Sequence, residues 1–227
     1  MSNIYVPDRG FRSFNEFFTR KRINGFTTTY ASPKKIICPC DGYLSCYKIS
    51  DETSFMIKHS KYRVSELLGD KSLASAYSGG TILIIRLTPA DYHRFCYSAS
   101  GILSLHTHIS GILHCVRPIA TEQYPVYVQN TREYCVISNK HMGDIIQMEI
   151  GALLVGRIHN HPVNPGEEIF SGNEKGYFEF GGSTITLLIP KGRLHYVEWL
   201  RQLNMGAESR VTMGMTLAYA RNDHARN

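Results

Sequence analysis

No apolar run in this chain of 227 residues reaches the roughly 18 to 20 that a helix needs to cross a bilayer. The opening stretch Met1 to Pro7 lacks the apolar centre of a secretory signal, so the protein is expected inside the cell, cytoplasmic or held peripherally on a membrane. Cysteine never occurs as a Cys-x-x-Cys pair. The six residues Cys38, Cys40, Cys46, Cys96, Cys115 and Cys135 are therefore expected to be reduced thiols rather than a disulfide framework. Cys38-Pro39-Cys40 finds no downstream partners to complete a four-ligand set, and no metal is expected. A glycine-rich phosphate loop, a dinucleotide fingerprint and an RNA-binding aromatic signature are all missing. Nucleic-acid binding is left with net charge alone for support, and no such partner is expected. Repeats, low-complexity linkers and composition breaks are absent too, so residues 1–227 are read as a single domain.

What is present is a chain that is 43% hydrophobic with a formal charge of +6. That apolar content suffices for one sizeable core, and the charge favours an anionic partner such as acidic lipid or an acidic small molecule. Ser13-Phe14-Asn15-Glu16 has the spacing of a capping box and predicts a helix start. Phe14, Phe17 and Phe18 share one face of that helix, and Arg20-Lys21-Arg22 follows. Such a face either docks on the core or rests on an anionic membrane surface. Ile36 to Tyr47 reads as a hairpin with its turn at Asp41-Gly42, and turn chemistry alone accounts for Asp41. Short helices are expected at Val64 to Leu68 and within Tyr196 to Leu203. Strands are expected at Thr81 to Thr88, Ile102 to His106, Ile112 to Val116, Tyr134 to Ser138, Ile145 to Ile158 and Ile185 to Ile189, with a loop from Asn160 to Gly172 and a disordered end from Ala220. Many strands and few helices predict an α+β fold, mostly antiparallel β-sheets in a sandwich-like core with a few short peripheral helices.

Two stretches carry chemistry. Asp91-Tyr92-His93-Arg94 crowds acid, base and aromatic groups at the exit of an apolar strand, where active sites are commonly built. The pairs His106/His108 and His159/His161 alternate along strands without a third ligand at useful spacing, so solvated strand-end histidines are expected there. The second stretch is Gly181-Gly182-Ser183-Thr184, ahead of an apolar run. Its glycines either make a bulge or turn at the mouth of a strand, or leave the Gly182 carbonyl uncrowded and strained so that Ser183 attacks it. In the second case the resulting ester loses the serine α-proton, the chain splits, and residue 183 becomes a pyruvoyl group. Such a carbonyl forms a Schiff base with an amine and acts as an electron sink, which points to a decarboxylase of an amine-bearing substrate.

Phe14-Asn15-Glu16-Phe17-Phe18-Thr19-Arg20, Pro39-Cys40-Asp41-Gly42, Pro89 through Arg94, Asn130-Thr131-Arg132-Glu133, Val155-Gly156-Arg157-Ile158 and Gly176 through Thr184 follow one another in the order of a known family. On these segments the chain resembles the phosphatidylserine decarboxylases from Phe11 to about Leu217. The resemblance implies cleavage between Gly182 and Ser183 into a β chain of residues 1–182 and an α chain of residues 183–227. It implies a covalent pyruvoyl cofactor derived from Ser183, phosphatidylserine as substrate, phosphatidylethanolamine and carbon dioxide as products, and a homodimer. It also implies that Asp41 orients a histidine in the manner of a serine-protease triad and that His93 returns a proton during decarboxylation. Many members read Asp-Tyr-His-x-x-His and link the second histidine to self-cleavage, whereas Cys96 stands there in this chain. Either His93 serves both steps, or another histidine such as His114 moves in, or cleavage is slow or lost. Thr184 is carried as a supporting residue. The first motif begins by residue 11, without the longer membrane-associating amino-terminal regions of many relatives. Membrane contact is accordingly expected at the phenylalanine-bearing helix and its basic neighbours, and a soluble free amino acid is a second candidate substrate. A third reading is an unprocessed, non-catalytic relative that binds acidic lipid.

Overall fold

The structure, a computed structural model, describes residues 4–23, 32–152, 157–181 and 183–221. The chain begins with α1 (Phe14–Phe18), β1 (Lys35–Ile37), β2 (Gly42–Lys48), β3 (Ser54–Ile57), β4 (Ser60–Arg63), α2 (Val64–Leu68) and α3 (Lys71–Ser75). It continues through β5 (Thr81–Leu87), β6 (Arg94–Cys96), β7 (Gly101–Ile109), α4 (Pro118–Thr121), α5 (Val126–Gln129), β8 (Arg132–Asn139) and β9 (Gly143–Gly151). The remainder is β10 (Ile158–Asn160), β11 (Glu168–Ile169), β12 (Glu174–Phe178), β13 (Ser183–Ile189), β14 (Leu194–Tyr196), α6 (Glu198–Gln202), β15 (Ser209–Val211) and β16 (Thr216–Ala220).

An eight-stranded sheet in the order β11-β7-β8-β9-β13-β5-β2-β15 forms the body of the molecule, and its pairings are antiparallel. β13 lies inside it, paired with β5 on one edge and β9 on the other. All seven of its residues are buried, with Ile185, Leu187 and Ile189 in one core and Leu188 in the other. A strand covered on both faces has no need to alternate apolar and polar residues, which is why apolar side chains stand on both of its faces. The first core is closed by β1-β16-β14 and β10-β12-β6, which contribute Ile36, Ala218, Leu194, Phe95 and Phe178. The second is closed by the β3-β4 hairpin and the helices α2, α3 and α5, through Phe55, Tyr62, Leu67, Ala74 and Tyr127. The result is the expected α+β sandwich with short helices at its periphery.

Local pattern reading fails where tertiary contacts decide. The segment Ile36 to Tyr47 is not a hairpin: β1 pairs with β16, while β2 pairs with β5 and β15, so residues 38–41 carry the chain from one sheet to another. Gly42 serves close approach rather than a turn, since a Cβ there would sit 2.7 Å from the Arg86 carbonyl oxygen. Ile112 to Val116 is no strand; Ile112 makes one isolated bridge to Asn130 and the rest is irregular. The stretch expected as one strand from Ile145 ends at Gly151, residues 153–156 lie outside the described residues, and β10 starts afresh at Ile158. The expected loop after Asn160 contains the short β11, and residues 222–227 also lie outside the described residues.

Because the atom facing Gly42 is main chain of a central strand, it cannot swing aside. Gly42→Ala is expected to lower stability by about 1–3 kcal/mol, read as a lower urea midpoint at unchanged slope. An unchanged midpoint would show that β2 does not approach β5 this closely.

Candidate active site

Across one end of the main sheet, Gly151, Ser183 and Leu87 stand in one row: Ser183 opens β13 opposite the last residue of β9 and the last residue of β5. One strand further, Tyr43 pairs with Arg86 and Gly42 with Val211, which brings the chain before β2, and hence Asp41, to the same end. Ser183 is fully buried, and its Oγ has no hydrogen-bond partner among the described residues. Cross-strand partners present their side chains to the same face, so the hydroxyl points with Leu87 and Ile185 into the first core. Just ahead, Gly181 has φ +151°, which only glycine adopts readily. Gly182 lies outside the described residues.

The exit of β5 delivers the histidine. Thr88 donates to Asp91 Oδ2 from both its backbone N (2.6 Å) and its Oγ1 (2.8 Å), and Arg210 Nη1 meets Asp91 Oδ1 at 2.6 Å. The turn so fixed aims the Asp91 carbonyl at His93 Nδ1, 2.9 Å away. A carbonyl only accepts, so Nδ1 carries the proton and Nε2 keeps its lone pair. That Nε2 is buried and has no partner among the described residues. Burial, the largest influence, pushes the imidazole from its ordinary value of 6.5 down to about 4, against the opposing pull of Asp91. At neutral pH His93 is an uncharged base. Its ring stacks on Phe18 (centroids 3.8 Å apart), and Phe18 packs edge-on to Phe180 at 5.2 Å.

A buried polar atom without a partner costs about 1–3 kcal/mol, which makes Ser183 Oγ and His93 Nε2 candidates for a chemical role. Asp41 stands elsewhere in the arrangement. Its Oδ2 binds Arg22 Nη2 at 2.6 Å and its Oδ1 accepts from Met213 N at 2.8 Å. Among the described residues it makes no hydrogen bond to His93, whose orientation comes from the Asp91 carbonyl instead. Arg22 also lies 4.3 Å over the ring of Tyr92, next to His93 in sequence.

Residues 14–219 match the phosphatidylserine decarboxylase family. Relatives include "Phosphatidylserine decarboxylase proenzyme 2" of Clostridium acetobutylicum, 43% identical over 90% of this chain and 69% of the relative. The phosphatidylserine decarboxylase proenzymes of Ruminiclostridium cellulolyticum (41% identical, 90% of this chain, 69% of the relative) and Clostridium novyi (40%, 90% and 70%) stand beside it. The chain belongs to the phosphatidylserine decarboxylase family.

Within that family frame the remaining residues fall into place. Cys96, where many phosphatidylserine decarboxylases carry a second histidine, is buried on β6, and burial raises its thiol far above the ordinary cysteine range. It is a neutral group and no base. His114 is exposed at the surface. Its backbone is nevertheless tied to the row, since Asn130 bonds both His114 (N to Oδ1 and Nδ2 to O, each 2.9 Å) and the Gly151 carbonyl at 2.7 Å. Thr184 is buried, and strand alternation turns it to the face opposite Ser183, where its side chain meets Tyr127.

Sequence reading missed a polar cluster on the same face. Lys175 and Glu149, both fully buried in practice, form an ion pair at 2.6 Å; Asn160 joins them to Glu133, and His106 and His108 flank Glu133. His159 pairs with Glu179 at 2.9 Å and His161 with Glu174 at 3.0 Å, around a cavity of about 270 Å³. The histidines expected to be merely solvated are each matched to a carboxylate. The available signal was Gln147 and Glu149 alternating inside an otherwise apolar strand. No group of three metal-capable side chains is found among the described residues.

His93 also predicts a pH dependence. Its folded value lies below the unfolded one, so the unfolded chain binds the extra proton; stability is complete above the unfolded value of 6.5 and falls as pH drops toward about 4. Between pH 7 and pH 5 this removes about 2 kcal/mol. Urea unfolding of His93→Gln should show an acid-side loss smaller by that amount, and equal losses in both proteins would contradict a buried neutral imidazole.

Proposed function

We propose that this chain is a proenzyme that cuts itself between Gly182 and Ser183 and then decarboxylates phosphatidylserine. The observation that carries the reading is that Ser183 Oγ and His93 Nε2 are both buried without a hydrogen-bond partner among the described residues. Nε2 takes the hydroxyl proton as Oγ attacks the Gly182 carbonyl, and the peptide bond becomes an ester. Loss of the Ser183 α-proton then expels the carboxylate of residues 1–182, and hydrolysis of the dehydroalanine left at residue 183 releases ammonia and leaves the pyruvoyl carbonyl. Of the three groups that could supply the base, the Cys96 thiol stays protonated and the His114 imidazole lies at the surface, so His93 serves both stages.

The site suits such a group: residue 183 is held in the sheet from both sides, and its side chain makes no hydrogen bond among the described residues. Once formed, the pyruvoyl carbonyl supplies an electron sink for loss of a carboxylate from an amine-bearing substrate. His93 Nε2, oriented through Asp91, holds the proton that the substrate α-carbon receives. The Phe18 ring packs on the imidazole and Phe180 packs on Phe18, and Arg22 holds Asp41.

The lipid side of the reading rests on the first 23 residues. Tyr5, Val6, Phe14, Phe17 and Ile23 are between 38% and 60% exposed, and Arg9, Arg12, Arg20 and Lys21 lie among them. Apolar side chains interspersed with cations fit the surface of an anionic bilayer. No described helix is long and apolar enough to cross one.

Ser183→Ala should abolish both chain splitting and release of carbon dioxide from phosphatidylserine; retained activity would exclude the mechanism. His93→Gln is expected to slow splitting by about 10²–10⁴-fold, followed as the split fraction over time on a denaturing gel. In flotation with vesicles of mixed anionic and zwitterionic lipid, the double variant Phe14→Ser/Phe17→Ser should lose binding that the parent shows. A parent that ignores anionic vesicles would favour a soluble amino acid as substrate.

A further inference from the structure

The bond that cleavage breaks lies just beyond the end of a strand. β12 ends at Phe178, and the last contact with its neighbour is Glu179 N to the Arg157 carbonyl at 3.0 Å. Ser183 re-enters the sheet four residues later. Between them stand Phe180, Gly181 and Gly182, and Gly181 has a φ of +151° that glycine alone adopts readily. Attack by a hydroxyl on a carbonyl needs the reacting atoms about 3–3.5 Å apart and aligned, and an error of about 1 Å costs roughly 100-fold in rate. Ser183 is fixed by its two neighbouring strands; the carbonyl side requires an anchor of its own.

α1 supplies one. Its Asn15 side chain accepts a hydrogen bond from Phe180 N, Oδ1 to N 3.0 Å. The partner is a backbone donor, so the amide oxygen, not the nitrogen, faces it. Phe14 and Phe18, one residue before and three after Asn15, close on the Phe180 ring at 4.7 and 5.2 Å. The helix is itself held: Ser13 Oγ caps it through Glu16 N at 3.1 Å, and Arg94 Nε bonds the Thr19 carbonyl at 2.8 Å. Among the described residues, no other side chain bonds the backbone of Phe180 or Gly181. The rings dock the helix, and the Asn15 bond fixes how the peptide plane between Glu179 and Phe180, just ahead of Gly181, is turned.

We infer that Asn15 is a positioning residue for self-cleavage, orienting the strand exit so that the Gly182 carbonyl meets Ser183. This rests on the self-cleavage reading above. Asn15 touches no substrate, and its effect is confined to maturation.

The test follows chain splitting in the full-length protein made by cell-free synthesis, for the parent, Asn15→Ala, Asn15→Asp and Ser183→Ala. Asn15→Asp keeps an acceptor of the same reach. The expected result is splitting at least 10-fold slower in Asn15→Ala and within 3-fold of the parent in Asn15→Asp. Decarboxylation per split chain should match the parent in both, and melting temperatures should stay within a few degrees. Equal rates in the parent and Asn15→Ala would overturn the inference while leaving self-cleavage standing. Equal slowing in both Asn15 variants would overturn it as well, since loss of the acceptor would not be the cause. A parent that never splits, like Ser183→Ala, would remove the self-cleavage reading and this inference with it.

Discussion

The ladder that ties β13 to β5 on one edge and to β9 on the other is the constraint on which the rest of the molecule depends. It places Ser183 at the first rung and buries every side chain of the strand behind it. It also decides which neighbours the serine has, because the exits of β5 and the start of β2 reach the same end of the sheet. The same interleaving explains how a split protein would stay whole. Residues 183–221 supply β13, β15 and β16, and each is paired with a strand from before the cut: β13 with β5 and β9, β15 with β2, β16 with β1. Removing one peptide bond leaves these ladders and both cores in place.

The amino-terminal segment is the second organiser. Within ten residues it reaches the approach to the cut through Asn15, the imidazole through Phe18, the Asp41 carboxylate through Arg22, and Arg94 through the Thr19 carbonyl. A helix of five residues has almost no stability alone, so these contacts hold it and it holds them. The segment that bears the exposed phenylalanines is therefore the one that packs on the candidate site through Phe18 and Asn15. In the proposed enzyme the lipid surface and the chemistry meet at this segment.

How much of this was legible follows from which contacts are local. The runs at β5 and β13 stood out because strands buried on both faces are rich in apolar residues without strict alternation, and α1 was marked by its capping box, although the Glu16 carboxylate turns back to Arg12 N rather than to Ser13. The role of Ser183 as a candidate came from two glycines ahead of a strand, a pattern carried by neighbours in sequence. Asp41-Gly42 was misread because the same dipeptide serves a hairpin turn or a close backbone approach, and only the Arg86 carbonyl on another strand tells them apart. Asp41 as the orienting acid followed from family resemblance; in the fold its carboxylate is taken by Arg22 and Met213, each far off in sequence. The ion pair of Lys175 with Glu149 was hidden for the same reason: nothing near either residue announces the other.

The most direct measurement is the intact mass of the purified protein under denaturing conditions, with chemical analysis of the smaller piece. The account predicts two chains, residues 1–182 and 183–227, the smaller beginning with a carbonyl that blocks Edman degradation and reacts with a hydrazide. A single 25.7 kDa chain that stays whole on prolonged incubation would contradict it.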